Sequence, residues 1–196
     1  MSGKPETADM VARFSTQVRT VGSHFASISS LSEVSEYVTK MVATAGAKRV
    51  LVSSELTHFF ASSHKLPFEV ASSRNMSRVA YFETLHTADI GVSIANLGIA
   101  ETGTLIIATS DESERLITAL PAIHVVVLPL SKLVFSLEEA ATQTSQLLTK
   151  NSSGLSISLI SASSRTSDVG GITILGAHGP KELHVLLLNE NLAEDI

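Results

Sequence analysis

Apolar residues recur at helical spacing through the opening of the chain. Met10, Val11, Phe14, Val18, Val21 and Phe25 gather near one face of a stretch from about Thr7 to Ser29, which predicts an amphipathic helix. Ser32, followed by Glu33 and Glu36, opens a second helix through Val34, Val38, Met41 and Val42 that closes near Gly46. After Lys48-Arg49 the pattern changes to short apolar runs. Val50-Leu51-Val52 and Phe68-Glu69-Val70 read as strands, with a helix over 55–65 between them. A helix over 77–87 precedes a weakly alternating strand over 88–94, and Gly103 to Thr109 reads as the strongest central strand. Ser113 to Leu120 predicts a helix that Pro121 stops, because proline cannot supply the next backbone donor. Ile123 to Pro129 is continuously apolar, as a parallel strand buried on both faces must be. Leu137 to Lys150 predicts a helix with Ala140, Ala141, Leu147 and Leu148 facing the core, and 155–160 and 183–188 predict two last strands.

Helices alternating with short apolar strands argue an α/β domain, a mostly parallel sheet flanked by helices. The pattern divides a single domain over 1–196 into N-terminal helices (1–46) and an α/β core (47–196). The segment 161–181 has no helix of normal length; with Gly170-Gly171 and Gly176 as turns it predicts an antiparallel or irregular return. Paired serines at 53–54, 72–73 and 163–164 fall at element ends, where capping and turns account for them.

Composition narrows the classes. At 196 residues, with 44% hydrophobic and 17% charged residues, the chain is a folded domain rather than a disordered one. A formal net charge of -5 and two Tyr with no Trp leave neither the basic density nor the stacking surface that nucleic-acid binding uses. No apolar run reaches transmembrane length and the first residues do not read as a signal peptide, so no membrane association and a cytoplasmic location are expected. Without Cys, the chain itself supplies no disulfide, thiolate nucleophile or cluster ligand.

Two loops carry candidate chemistry. In 98–104 (GIAETGT), a glycine flanked by hydroxyls lets backbone N–H groups approach an anion, with Thr102, Gly103 and Thr104 as binding residues. In 161–168 (SASSRTSD), small residues, hydroxyls and one guanidinium suit a phosphate or carboxylate, with Ser163, Arg165 and Thr166 as binding residues. Either loop can instead be a turn whose hydroxyls bond their own backbone. Glu101 sits among Ile99, Ala100, Leu105 and Ile106, where partial burial would suit it to acid–base or nucleophilic work; shaping the turn is an equal alternative. Asp168 and His178 are candidates to assist proton transfer. The pairs His58/His64 and His178/His184 are six apart rather than four, so no metal ligand set and no cofactor are predicted.

The run GIAETGTLII, with Arg115-Leu116 and LPAIHVVVL after it, resembles the LUD domain of the lactate-utilisation protein C family. The later SRTSDVGGITILGAHGPKELHVLLL resembles the family's second signature, in the same order. One departure is Gly170, where many relatives carry an acidic residue. The resemblance implies a fold like ribose-5-phosphate isomerase, glucosamine-6-phosphate deaminase and the CoA transferases. It implies an accessory role in iron–sulfur oxidation of L-lactate to pyruvate, beside partner proteins holding the clusters, with a small anionic ligand in a pocket. A homo-oligomer is compatible with it. A stand-alone enzyme acting on a phosphosugar or CoA thioester through Glu101 is the alternative.

Overall fold

The computed structural model describes residues 6–62, 66–73, 76–150, 154–167 and 173–189. At its centre is a six-stranded sheet in the order β1-β12-β7-β4-β2-β3, every neighbouring pair parallel. Its strands are β1 (His24–Ile28), β2 (Arg49–Val52), β3 (Glu69–Ala71), β4 (Ile90–Ile94), β7 (Ile123–Pro129) and β12 (Glu182–Leu188). The apolar runs of β7 and β12 lie in the interior of this sheet, where both faces are covered. Alternation then sorts them. Val125, Val127, Leu186 and Leu188 pack against Val34, Val38 and Val42 of helix α2 (Leu31–Ala45). Val126, Leu128, Val185 and Leu187 pack against Met10, Phe14 and Val18 of helix α1 (Thr7–Thr20).

The first helix is shorter than its periodicity suggests. Gly22 adopts φ +76 just past α1, and Ser23 N–H returns to the Val18 carbonyl, closing the last turn. The chain then enters strand β1, in register with β12 from His24↔His184 to Ile28↔Leu188. Residues 24–28 therefore complete the central sheet rather than extending a helix.

A second correction concerns 103–109. Strand β6 (Thr104–Thr109) lies outside the parallel sheet, in a four-stranded sheet ordered β8-β5-β6-β9. The four residues between β5 (Leu97–Ile99) and β6 are too few for a parallel crossover, so the two strands form an antiparallel hairpin. β9 (Ser156–Ile160) pairs antiparallel with the other edge of β6, and β8 (Leu133–Val134) runs parallel to β5. Helix α6 (Leu137–Lys150) has the bounds expected from sequence, yet only Ala140 is buried and Leu148 is exposed. The helix rides on a small sheet, so it needs a narrower apolar stripe. The return after β9 is antiparallel as expected, β10 (Arg165–Ser167) against β11 (Thr173–Leu175).

Helix α3 (Thr57–Ser62) follows β2, α4 (Arg78–Leu85) follows β3, and α5 (Glu112–Ile117) links β6 to β7. Ser77 caps α4 by accepting from Ala80 N–H. No described helix is long and apolar enough to cross a membrane.

Candidate functional site

The sequence runs outward from β2 to β3, then returns to the other side of β2 as β4. Loops leaving β2 and β4 therefore diverge, and a crevice opens beyond the carboxyl ends of the strands, the usual ligand position in open parallel sheets. An open cleft of about 520 Å³ lies there. Ser54 and Glu55 line it after β2, Ser73 after β3 and Asn96 after β4. The far wall is the end of β6 with Thr109, Ser110 and Asp111, then Glu114 of α5, with Leu147 and Leu155 closing the side.

Glu114 is the most constrained polar group. Both its carboxylate oxygens accept from Ser54 N–H at 3.2 Å, and Ser73 Oγ donates to Oε1. Burial pushes its carboxyl above the ordinary carboxylate range; the Ser73 hydroxyl and Ser54 N–H pull the other way, and Glu55 and Asp111 add to the rise. Tyr81 of α4 is buried near the same carboxylates, and its hydroxyl has no hydrogen-bond partner among the described residues. Burial first, then Glu114 and Asp111, raise the phenol, so it stays a donor. Asn96 fixes the corner: its N–H donates to the Ile106 carbonyl at 2.9 Å and its Oδ1 accepts from Ala108 N–H at 2.6 Å.

The two signature loops are elsewhere, and they meet. Thr102 Oγ1 donates to Thr104 Oγ1 at 2.8 Å, and Thr104 Oγ1 lies 2.9 Å from Ser161 Oγ. Gly103 takes φ +71, and a Cβ there would stand 2.9 Å from Val18 N and Gln17 Cβ of α1. The turn is thus pressed onto the last turns of α1. Arg165 lays its guanidinium over Gly22 at the end of the same helix. Ser163 is buried, Thr166 is half-buried in β10, and His178 is exposed with its N–H donating to Ser164 Oγ at 3.1 Å. Glu101 is exposed, contrary to the expected partial burial: Ile99, Ala100, Leu105 and Ile106 point inward and leave its side chain at the tip. The length of β6 separates this tip from the cleft, about 17 Å. Asp168 lies outside the described residues.

Nothing in the linear sequence marks the cleft. Its serine pairs look like ordinary caps, and only strand order brings 54, 73, 96 and 114 together. Among the described residues, one set of three side chains of metal-ligating type converges, His24, Glu182 and His184, at the amino ends of β1 and β12.

The family model of the LUD domain matches residues 11–188. The chain belongs to the LUD domain family. That match spans both signature loops and all the strands described above. A lactate utilization protein C of Shouchella clausii is 27% identical over 108 residues, 55% of this chain and 47% of that protein. A lactate utilization protein B of a Geobacillus species is 32% identical over 125 residues, 63% of this chain but 24% of its own length. An uncharacterised protein of Neisseria meningitidis serogroup B is 34% identical over 100 residues, 51% of this chain and 42% of that one. The matches thus span less than half the length of these relatives. The crystal structure of a DUF162 family protein from Deinococcus radiodurans superposes with a TM-score of 0.66 at 17% identity, covering 94% of this chain and 99% of that one. It shows the same fold.

Proposed function

We propose that this LUD domain is an accessory, small-molecule-binding component of a lactate-oxidising system and takes its ligand in the cleft at the carboxyl edge of the sheet. Relatives named lactate utilization proteins B and C support the pathway. In this reading iron–sulfur partners carry the redox step, and this chain, with no cysteine, supplies no thiolate to a cluster. The observation that carries the site is Glu114, held by Ser54 and Ser73 at the topological switch point.

The cleft refines the expected anionic ligand. Glu55, Asp111 and Glu114 line it, and no lysine or arginine does so among the described residues. A bare anion is disfavoured inside, whereas a hydroxyl that donates to a carboxylate is welcome. A small hydroxy acid meets both conditions, with its hydroxyl toward Glu114 and its charged end at the open mouth. Glu114, raised by burial, can also exchange a proton with such a hydroxyl nearer neutral pH than an ordinary carboxylate.

Deleting the gene in its host and measuring growth and respiration on L-lactate tests the pathway. Loss of lactate respiration, restored by the wild-type gene and accompanied by co-purification with iron–sulfur proteins, is expected. Undiminished lactate respiration in the deletion strain overturns it. The stand-alone enzyme acting through Glu101 has weaker geometric support, because that carboxylate stands exposed at a hairpin tip.

A further inference from the structure

Strand pairing places three ligand-type side chains together at the edge of the sheet opposite the cleft. Glu182 and His184 are two apart on β12 and so share a face, and His24 is the register partner of His184 on β1. Each of the three presents one ligand atom, and these atoms lie within 4.8 Å of one another. Glu182 Oε2 stands 3.2 Å from His184 Nε2. Bonds of the length zinc makes to nitrogen and oxygen put neighbouring ligands of a tetrahedral site about 3.3 Å apart, so this pair already has that spacing. The imidazoles of His24 and His184 stack at 4.2 Å with 12° between planes. His24 is exposed, so turning its ring out of this stack to bring a nitrogen to the shared point displaces no core side chain.

The surroundings supply what a metal site needs beyond its ligands. Tyr37 Oη lies 2.9 Å from His184 Nδ1. The Glu182 carboxylate can only accept, so without an ion His184 Nε2–H donates to it and Nδ1 accepts from the Tyr37 hydroxyl. A bound ion would take the place of the Nε2 proton, with Nδ1–H then donating to Tyr37 Oη, the outer-shell arrangement that orients ligating histidines. Beside the three residues runs a groove of about 350 Å³ between α2 and the sheet, floored by Met41 and Ile123, with Lys40 among its walls.

We propose that His24, Glu182 and His184 form a three-ligand site for a divalent zinc-type ion, its fourth coordination position opening into the Lys40 groove. The ion and Lys40 together make that groove suited to the carboxylate of a small organic acid as fourth ligand. The site is separate from the Glu114 cleft and does not depend on the pathway assigned above.

Isothermal titration of the full, chelator-stripped chain with Zn²⁺, and the visible spectrum of the Co²⁺ form, test it. One equivalent of Zn²⁺ and a four-coordinate Co²⁺ spectrum are expected. His24→Ala and Glu182→Gln, both at exposed side chains, should each abolish the four-coordinate spectrum and weaken binding more than Tyr37→Phe, whose loss of an outer-shell partner should cost about tenfold. His178→Ala should change nothing. Circular dichroism melting without metal checks that the variants remain folded. Equal Zn²⁺ affinity in wild type, His24→Ala and Glu182→Gln overturns the proposal, as does the absence of binding by wild type.

Discussion

His124 is fully buried in β7, between β4 and β12, with Nε2 2.8 Å from Ser93 Oγ and Nδ1 unpartnered among the described residues. Burial alone pushes its imidazole down to about 3 from an ordinary 6.5. Between those values the unfolded chain binds a proton that the folded chain refuses, so stability falls as pH drops through the window. One such proton corresponds to a slope of about 1.4 kcal/mol per pH unit. His184, lowered chiefly by its own burial, adds to the same acid limb. Urea denaturation from pH 7 to pH 4 should show this decline, and His124→Gln, which keeps a partner for Ser93, should flatten part of it. The signature turn makes a second test at this scale. Gly103→Ala forces a Cβ onto α1 in a left-handed conformation and should destabilise by roughly 2–4 kcal/mol. Glu101→Gln, at an exposed tip, should stay within about 0.5 kcal/mol. Thermal melts of the two variants decide whether Glu-Thr-Gly-Thr is held by packing.

Among the elements, legibility tracks how locally each is determined. α6, β7 and β12 are readable because length and apolar continuity define them without reference to neighbours. β1 is not: His24-Phe25-Ala26-Ser27-Ile28 is an edge strand, paired on one side only, and the apolar spacing of α1 runs on into Phe25. The stop lies in the left-handed Gly22, a signal present in the sequence but outweighed by periodicity. β5 and β8, three and two residues long, exist only through pairing. The same reason hides the cleft, since Ser54, Ser73, Asn96 and Glu114 come from four separate segments and become neighbours through strand order. The two signature loops, by contrast, belong together already in the sequence, and the Thr104–Ser161 hydroxyl contact joins them. The place of β1 in the central sheet makes the N-terminal segment indispensable. A chain beginning at residue 47 would lose α1, β1 and α2, baring β12 and both layers that cover β7. Circular dichroism and thermal melting of 47–196 should show no cooperative transition; a sharp melt would contradict this assembly.

The whole molecule is a parallel sheet with chemistry at opposite edges. The carboxyl edge holds hydroxyls and carboxylates around Glu114, while the amino edge holds His24, Glu182 and His184. The hairpin and α1 bind the small sheet to one face of the large one, and this packing forms the cleft wall at the end of β6. On the function proposed above, the Glu-Thr-Gly-Thr turn and Ser161 build the frame about a strand's length away from the cleft that takes the ligand. Complementation of the deletion strain on L-lactate with two single variants tests this division of roles most directly. Ser110→Trp, at an exposed lip of the cleft, fills the pocket without touching the core. Glu101→Gln alters only the hairpin tip. We expect Glu101→Gln to restore lactate growth and Ser110→Trp to fail while remaining folded at wild-type abundance. Full rescue by Ser110→Trp together with failure of a folded Glu101→Gln would contradict the account and move the site to the signature turn.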